Sequence, residues 1–398
     1  MSDNNRHVVR RRFLKLAGAS GTIALAGCGG DGGDGGSDGG DGGDGGSSSG
    51  GSGGWPDSME RIGYTSYVRG GAWITAYVES GRFYAEDQGI EMDVRPNQQE
   101  ASKQVQDIRD FTNKGFDGII VGVWQTGAAS DAIQAALDEN IPVIATNADT
   151  ANENIPMYVG FGNYEGGAKC ADEMYKALQN QKPDASPWQV LNVRGIQGNQ
   201  SANQRSQGFL DVMSEKSDVE VLDTINGEYA RDVALNKTQQ WINNNQVPHG
   251  IYSGNLTMGL GVRTALDNLD MLSEKGADDH IVLTQMDGGP EANQVISNGF
   301  IDAAVDQPNY FYNPIAIKYM MKIANEGIDS LPKVGSEVTS DDLTIEPAQH
   351  KGVEMWSNPI WAPAQMDEQN GHPWFKTNNI VITQENAGEP YLWGNVWG

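Results

Sequence analysis

Residues 116–149 read FDGIIVGVWQTGAASDAIQAALDENIPVIATNAD. The run FDGIIVGV is apolar on both alternating faces, which suits a strand covered from both sides. AASDAIQAALDEN has apolar residues at helical spacing, and IPVIATNAD returns to a strand. A strand, a helix and a second buried strand within one such stretch form a parallel βαβ unit, whose crossover is right-handed.

The same rhythm extends outward in both directions. Upstream, RIGYTS reads as a strand, residues 73–88 as a helix, IEMDVRP as a strand and EASKQVQDIRDFTNKG as a helix. After MYVGFGNYEGG the alternation starts again. A helix at GAKCADEMYKALQN leads to strands WQVLNVRG, VEVLDTI, GIYSG and HIVLTQMDG, with helices between them. Two successive α/β series of similar size predict two similar lobes, each a parallel sheet flanked by helices, joined by a hinge. About 340 residues is long for one core and natural for two.

The start of the chain is of another kind. RRRFLKLAGASGTIALAGC at residues 10–28 has a basic region, a short apolar region and a cysteine after small residues. The apolar part is about half the roughly 20 residues needed to span a bilayer, so it reads as an export signal. Arg10 and Arg11 resemble the pair of a twin-arginine signal, and LAGC resembles a lipoprotein box with Cys28 as the lipidated residue. Residues 29–54 contain only Gly, Asp and Ser, with nothing to offset folding entropy. Such a leash reaches about 25–30 Å. Residues 1–28 are therefore expected to be the signal and 29–54 a flexible linker. The working part would lie outside the cell, held to the outer face of the membrane only through Cys28.

The net charge of −26 excludes a nucleic-acid partner, whose phosphates require a basic face. The acidic excess with little lysine resembles proteins of salt-loving archaea, and it predicts loss of compactness at low salt. Beyond Cys28 the single cysteine, Cys170, lies in a helical pattern and reads as a core residue. The five histidines lack metal-ligand spacing. No nucleophile–base pair or phosphate loop appears, so neither a cofactor nor catalysis is expected. Residues 335–398 break the alternation but hold five of the ten tryptophans, too many for a disordered end.

Four phrases in order then carry a resemblance: NIPVIATNAD (140–149), RGIQGNQSANQRSQGF (194–209), GIYSGNLTMGLGVRTAL (250–266) and MDGGPEANQVISNGFIDAAVDQP (286–308). Together they resemble the ribose/galactose type of periplasmic sugar-binding protein, the capture component of an ABC importer, over about residues 60–330. The resemblance implies the type I periplasmic-binding-protein fold. Residues 60–161 plus 308–335 would form the first lobe, and 162–307 plus 336–398 the second with an extended tail. Hinges would lie near 161–163, 307–309 and 335. It also implies a monomer that takes a sugar into the cleft and passes it to membrane permease subunits.

In open parallel sheets ligands sit beyond the C-terminal strand ends. Carried over by position, Trp73 and Tyr229 match stacking aromatics, and Arg205, Asn255, Asp287 and Gln307 match hydroxyl-binding residues. Asn147 stands where the family usually has an aspartate, with Asp149 two residues on. Trp124 is added from its place at a strand end. Arg205 is also expected to pair with the Asp287 carboxylate. Plainer roles stay open: core packing for Trp73, a surface position for Tyr229 and Arg205, a helix cap for Asn255, a turn for Asp287 and a hinge turn for Gln307. The family's first-loop asparagine has no counterpart; VRGGAW supplies Arg69 and two glycines instead. A nucleoside or a furanosyl signalling molecule is the alternative ligand, and an exported enzyme or a repressor-like sensor the alternative class.

Overall fold

The computed structural model describes residues 54–66 and 70–397. Arg10, Arg11, Cys28 and Arg69 lie outside the described residues. Chain order begins β1 (Arg61–Ser66), α1 (Ala72–Asp87), β2 (Glu91–Pro96), α2 (Ala101–Asn113), β3 (Gly118–Val121), α3 (Ser130–Asp138), β4 (Val143–Thr146) and β5 (Met157–Phe161). These strands pair in parallel in the order β2-β1-β3-β4-β5. All four residues of β3 and of β4 are buried, which is what their unbroken apolar sequence requires.

The second series is α4 (Asn163–Gln181), β6 (Trp188–Arg194), α5 (Gln200–Ser214), β7 (Val219–Asn226), α6 (Arg231–Asn244), β8 (Gly250–Ser253), α7 (Leu256–Asn268), β9 (Val282–Met286), α8 (Pro290–Ser297) and β10 (Ala303–Asp306). Its parallel order is β7-β6-β8-β9-β10. The two orders are the same when each lobe's strands are numbered from its own first. Both put a topological switch point beside the lobe's first strand, where loops from opposite sides of the sheet part and leave a crevice. After β10 the chain crosses back: α9 (Asn309–Glu326) lies on α1, with the Asn313 amide donating to the Tyr77 carbonyl at 2.6 Å and accepting from Thr146 Oγ1 at 3.0 Å.

The tail differs from the sequence expectation of a segment held by the second lobe. It continues as β11 (Glu337–Val338), β12 (Ala348–His350), β13 (Val353–Met355), β14 (Ala364–Gln369), β15 (His372–Thr377), β16 (Ile380–Thr383) and α10 (Trp393–Val396). β15 pairs in parallel with β5, and β14 and β11 extend that first-lobe sheet to eight strands. β16 pairs antiparallel with β10 of the second lobe. The tail thus crosses between lobes at residues 378–379, not near 335. Each lobe's last strand would otherwise present a row of unpaired backbone groups, and one tail strand covers each. Four of the five tail tryptophans are core residues: Trp361 and Trp393 are fully buried, Trp397 is buried, and Trp356 donates to the Tyr310 carbonyl at 3.1 Å. Cys170 is buried, with its Sγ 3.2 Å from the Gln285 carbonyl; burial raises its thiol pKa far beyond the physiological range.

Candidate functional site

The strand ends of both lobes open on one cavity of about 680 Å³. Trp73, Trp124, Asn147, Asp149, Arg205, Tyr229, Asn255, Asp287 and Gln307 all line it. The sequence scattered these nine over 235 positions, and the doubly wound topology brings them to one wall.

On the second lobe the wall is an ionic network. Arg205 projects from α5, and α5 lies so close to α4 that a Cβ at Gly208 would sit 2.0 Å from the Tyr164 carbonyl oxygen. Only glycine permits that approach, which sets the depth of the arginine. Arg205 is 7% exposed and Asp287 5%. The guanidinium donates Nη1 to Asp287 Oδ2 at 3.0 Å and to the Gly254 carbonyl at 3.0 Å, and Nε to Asn163 Oδ1 at 2.8 Å. Gln307 Nε2 donates to Asp287 Oδ1 at 2.7 Å, and its Oε1 accepts from the Tyr312 hydroxyl at 2.9 Å. Burial works against the arginine's charge, but the Asp287 carboxylate outweighs it and holds the pKa above its usual value. Tyr229 is pushed up by burial, with Arg205 opposing. Its ring lies over Gly195, where a Cβ would meet it at 2.4 Å.

Behind this network sits Asp306, fully buried at the end of β10. Its Oδ1 accepts from the backbone N–H groups of Gly288 and Gln307 and from Trp393 Nε1, each at 3.0 Å. Oδ2 has no partner among the described residues. Burial, with Asp287 adding to it, pushes its pKa up to about 7 despite those three donors.

On the first lobe the polar residues are arranged differently. Asp149 does not stand open: its Oδ2 accepts from Gln369 Nε2 and Asn370 Nδ2, both at 2.7 Å. Its Oδ1 accepts from the Thr150 N–H at 2.7 Å and lies 2.7 Å from His372 Nε2. The tail hairpin therefore ties down the loop that carries Asn147. The Trp124 N–H donates to Gln104 Oε1 at 3.1 Å, which fixes the end of β3. Trp73 lies in the first turn of α1, its ring 5.3 Å from that of Tyr77, and its buried Nε1 has no partner among the described residues.

Asn147, Tyr229 and Asp287 have φ of +63°, +56° and +66°. Asparagine and aspartate tolerate that region, but tyrosine is an outlier in it, and such outliers concentrate at binding sites. Asn255 caps α7, accepting from the Met258 N–H at 2.9 Å, so the helix-cap role is realised at a residue that also lines the cavity.

Among the lining residues not called as site residues from the sequence are Asn163, Gln369 and Trp374. Asn163 is the first residue of α4, within the 161–163 connection, and its Oδ1 accepts from Arg205. Gln369 and Trp374 come from the tail, where the alternation of HPWFKT was the available signal for a strand. Among the described residues no group of three or more His, Cys, Asp or Glu could hold a metal ion, and no helix is long and apolar enough to cross a membrane.

Residues 62–328 match the periplasmic binding protein domain family. The chain is 25% identical over 291 residues to the xylitol-binding protein of Mycolicibacterium smegmatis, covering 73% of this chain and 76% of that one. It is 22% identical over 223 residues to the ribose import binding protein of Haemophilus influenzae, covering 56% and 71%. Among solved structures, a galactofuranose binding protein superposes with a TM-score of 0.64 at 17% identity, covering 83% of this chain and 97% of that one. A solute binding protein from Actinobacillus succinogenes, solved with D-allose, also gives 0.64, at 19% identity and with coverages of 82% and 99%. At such identities the superpositions establish the fold.

Proposed function

We infer the function from one premise: the chain belongs to the periplasmic binding protein domain family, which spans well over half of it. It is an extracytoplasmic receptor that captures a sugar between its lobes and hands it to the membrane subunits of an ABC importer, without chemistry on the sugar. The observation that carries this reading is the buried Arg205–Asp287–Gln307 network at the cavity wall. A sugar offers hydroxyls that donate and accept, and ring faces made of C–H groups. Fixed carboxylate, amide and guanidinium groups match the hydroxyls. Aromatic side chains such as Trp73 and Tyr229 match the faces. The relatives' names, which refer to ribose, xylitol and galactofuranose, point the same way.

Capture requires closure to be favoured by ligand, so the closed arrangement must bind more tightly than the open one. Residues 161–163, 307–309 and 378–379 are the three connections about which the lobes turn. Export through a twin-arginine signal at Arg10 and Arg11, a lipid on Cys28 and the leash at 29–54 would hold a monomer close to its permease. The acidic surface suits a salt-rich setting. Circular dichroism is expected to show loss of structure between molar and millimolar salt; an unchanged spectrum contradicts that part of the reading.

A thermal-shift panel of ribose, xylitol, allose, galactose and nucleosides tests the binding function. Ligand at about 100 times its Kd stabilises by roughly 2.7 kcal/mol, a readable rise in Tm. No shift with any of them would reject sugar capture.

A further inference from the structure

The cavity has more ring-binding surface than one sugar can use. Four half-buried aromatic side chains line it: Trp73 and Trp124 of the first lobe, Tyr229 of the second and Trp374 of the tail. A single ring has two faces, and two aromatics saturate them.

Trp374 is fixed in place. Its ring stacks on Tyr158 at 5.9 Å and 21°, and Lys376 Nζ lies 5.3 Å from its centroid. Its Nε1 is turned to the Gly160 carbonyl at 3.4 Å. With the N–H engaged in the sheet, Trp374 offers the cavity apolar ring carbons, which suit a C–H-rich or planar ring better than a hydroxyl. Beside it, Gln369 gives Nε2 to Asp149, leaving Oε1 as an acceptor. Both residues come from the tail and lie beyond the family match at 62–328.

We propose that the tail hairpin forms a second-ring subsite, and that the ligand is a two-ring glycoside: a sugar joined through its anomeric carbon to another sugar or to a nucleobase. This rests on the sugar-capture reading above. The hydroxylated ring sits against Arg205, Asp287 and Gln307, and the second ring against Trp374 and Gln369.

The test is calorimetry on the full chain, with ribose, allose and galactose against lactose, sucrose, adenosine and uridine. At least one two-ring compound is expected to bind about tenfold or more tighter than any single sugar. The disaccharide and nucleoside arms separate the two sources of the second ring. Trp374→Ala and Gln369→Met are each expected to weaken that compound by about tenfold, several times more than they weaken the best single sugar. Gln369→Met keeps the side chain's length and serves where Trp374→Ala fails to fold. Single sugars binding as tightly as every two-ring compound, or variants that weaken both classes equally, overturn the subsite and leave sugar capture standing. If nothing in the panel binds, sugar capture falls and the subsite with it.

Discussion

The two halves of the cavity hold their carboxylates in opposite ways. On the second lobe, Asp287 is paired with Arg205 and Gln307 at the cavity wall, an ionic group set in place before any ligand arrives. On the first lobe, Asp149 is turned into the protein, its oxygens taken by Gln369, Asn370, Thr150 and His372. One carboxylate lines the cavity with an arginine and an amide as its partners, and the other fastens the tail. On the sugar-capture reading proposed above, the second-lobe half would read hydroxyls through charge-assisted bonds, and the first-lobe half would shape the ligand through Trp124, Trp374 and the loop of Asn147. An acid at a strand end is not in itself a ligand group; Asp287 accepts one bond on each oxygen and keeps acceptor capacity, whereas each oxygen of Asp149 already has two partners.

The sharpest way to break this contrast is to remove Asp287. Asp287→Ala strands Arg205 as a buried unpaired charge, which costs about 3–5 kcal/mol of stability, and it places a non-glycine residue without a polar side chain at φ +66°. On the folded fraction, calorimetry is expected to show ligand affinity about 10- to 1,000-fold weaker. Asp287→Asn keeps an acceptor and tolerates the backbone, so both losses are smaller. Equal affinity in Asp287→Ala and the parent would leave Asp287 with only the turn-forming role.

Asp149→Ala is the matching change on the other half. It leaves the donors of Gln369, Asn370 and His372 without their acceptor, and chemical denaturation is expected to show a loss of about 2–4 kcal/mol. Ligand affinity at saturating stability should change less than for Asp287→Ala. A larger effect on affinity than on stability would return Asp149 to the ligand site.

The smallest expected effect lies behind the second-lobe network. Asp306 has a folded pKa raised to about 7 from 3.8, so the folded chain keeps a proton that the unfolded chain releases across that window. Folding stability from this group is therefore present at acid pH and lost as pH rises from about 4 to 7. Asp306→Asn mimics the protonated form and is expected to gain on the order of 1–3 kcal/mol at pH 8. At pH 4 the gain disappears. Thermal melts of both proteins at the two pH values check this; a variant less stable at pH 8 would show that the carboxylate is held ionised.

Much of this architecture is legible in the sequence. β3 and β4 announce themselves because strands covered on both faces must be apolar throughout. The repeated βα alternation predicts two lobes, and the strand-end rule then places residues as far apart in sequence as Trp124 and Asp287 beside one cavity, while Trp73 and Gln307 come from the family resemblance. The tail resisted the same reading. β14, AQMDEQ, is an outer strand rich in polar residues, and β15 contains Pro373, which weakens its strand signal. Their docking edge, β5, lies more than 200 residues upstream, so no local pattern could pair them. The fate of Asp149 followed from that gap: with the hairpin unplaced, its carboxylate had no visible partner.

Small-angle scattering of the full chain, with and without a saturating sugar from the binding panel, tests most directly whether the two unlike halves act on one ligand. The account predicts a smaller radius of gyration with the sugar bound, and the sugar recovered unchanged. An identical profile at saturation would contradict capture between the lobes, and a chemically altered sugar would make the protein an enzyme.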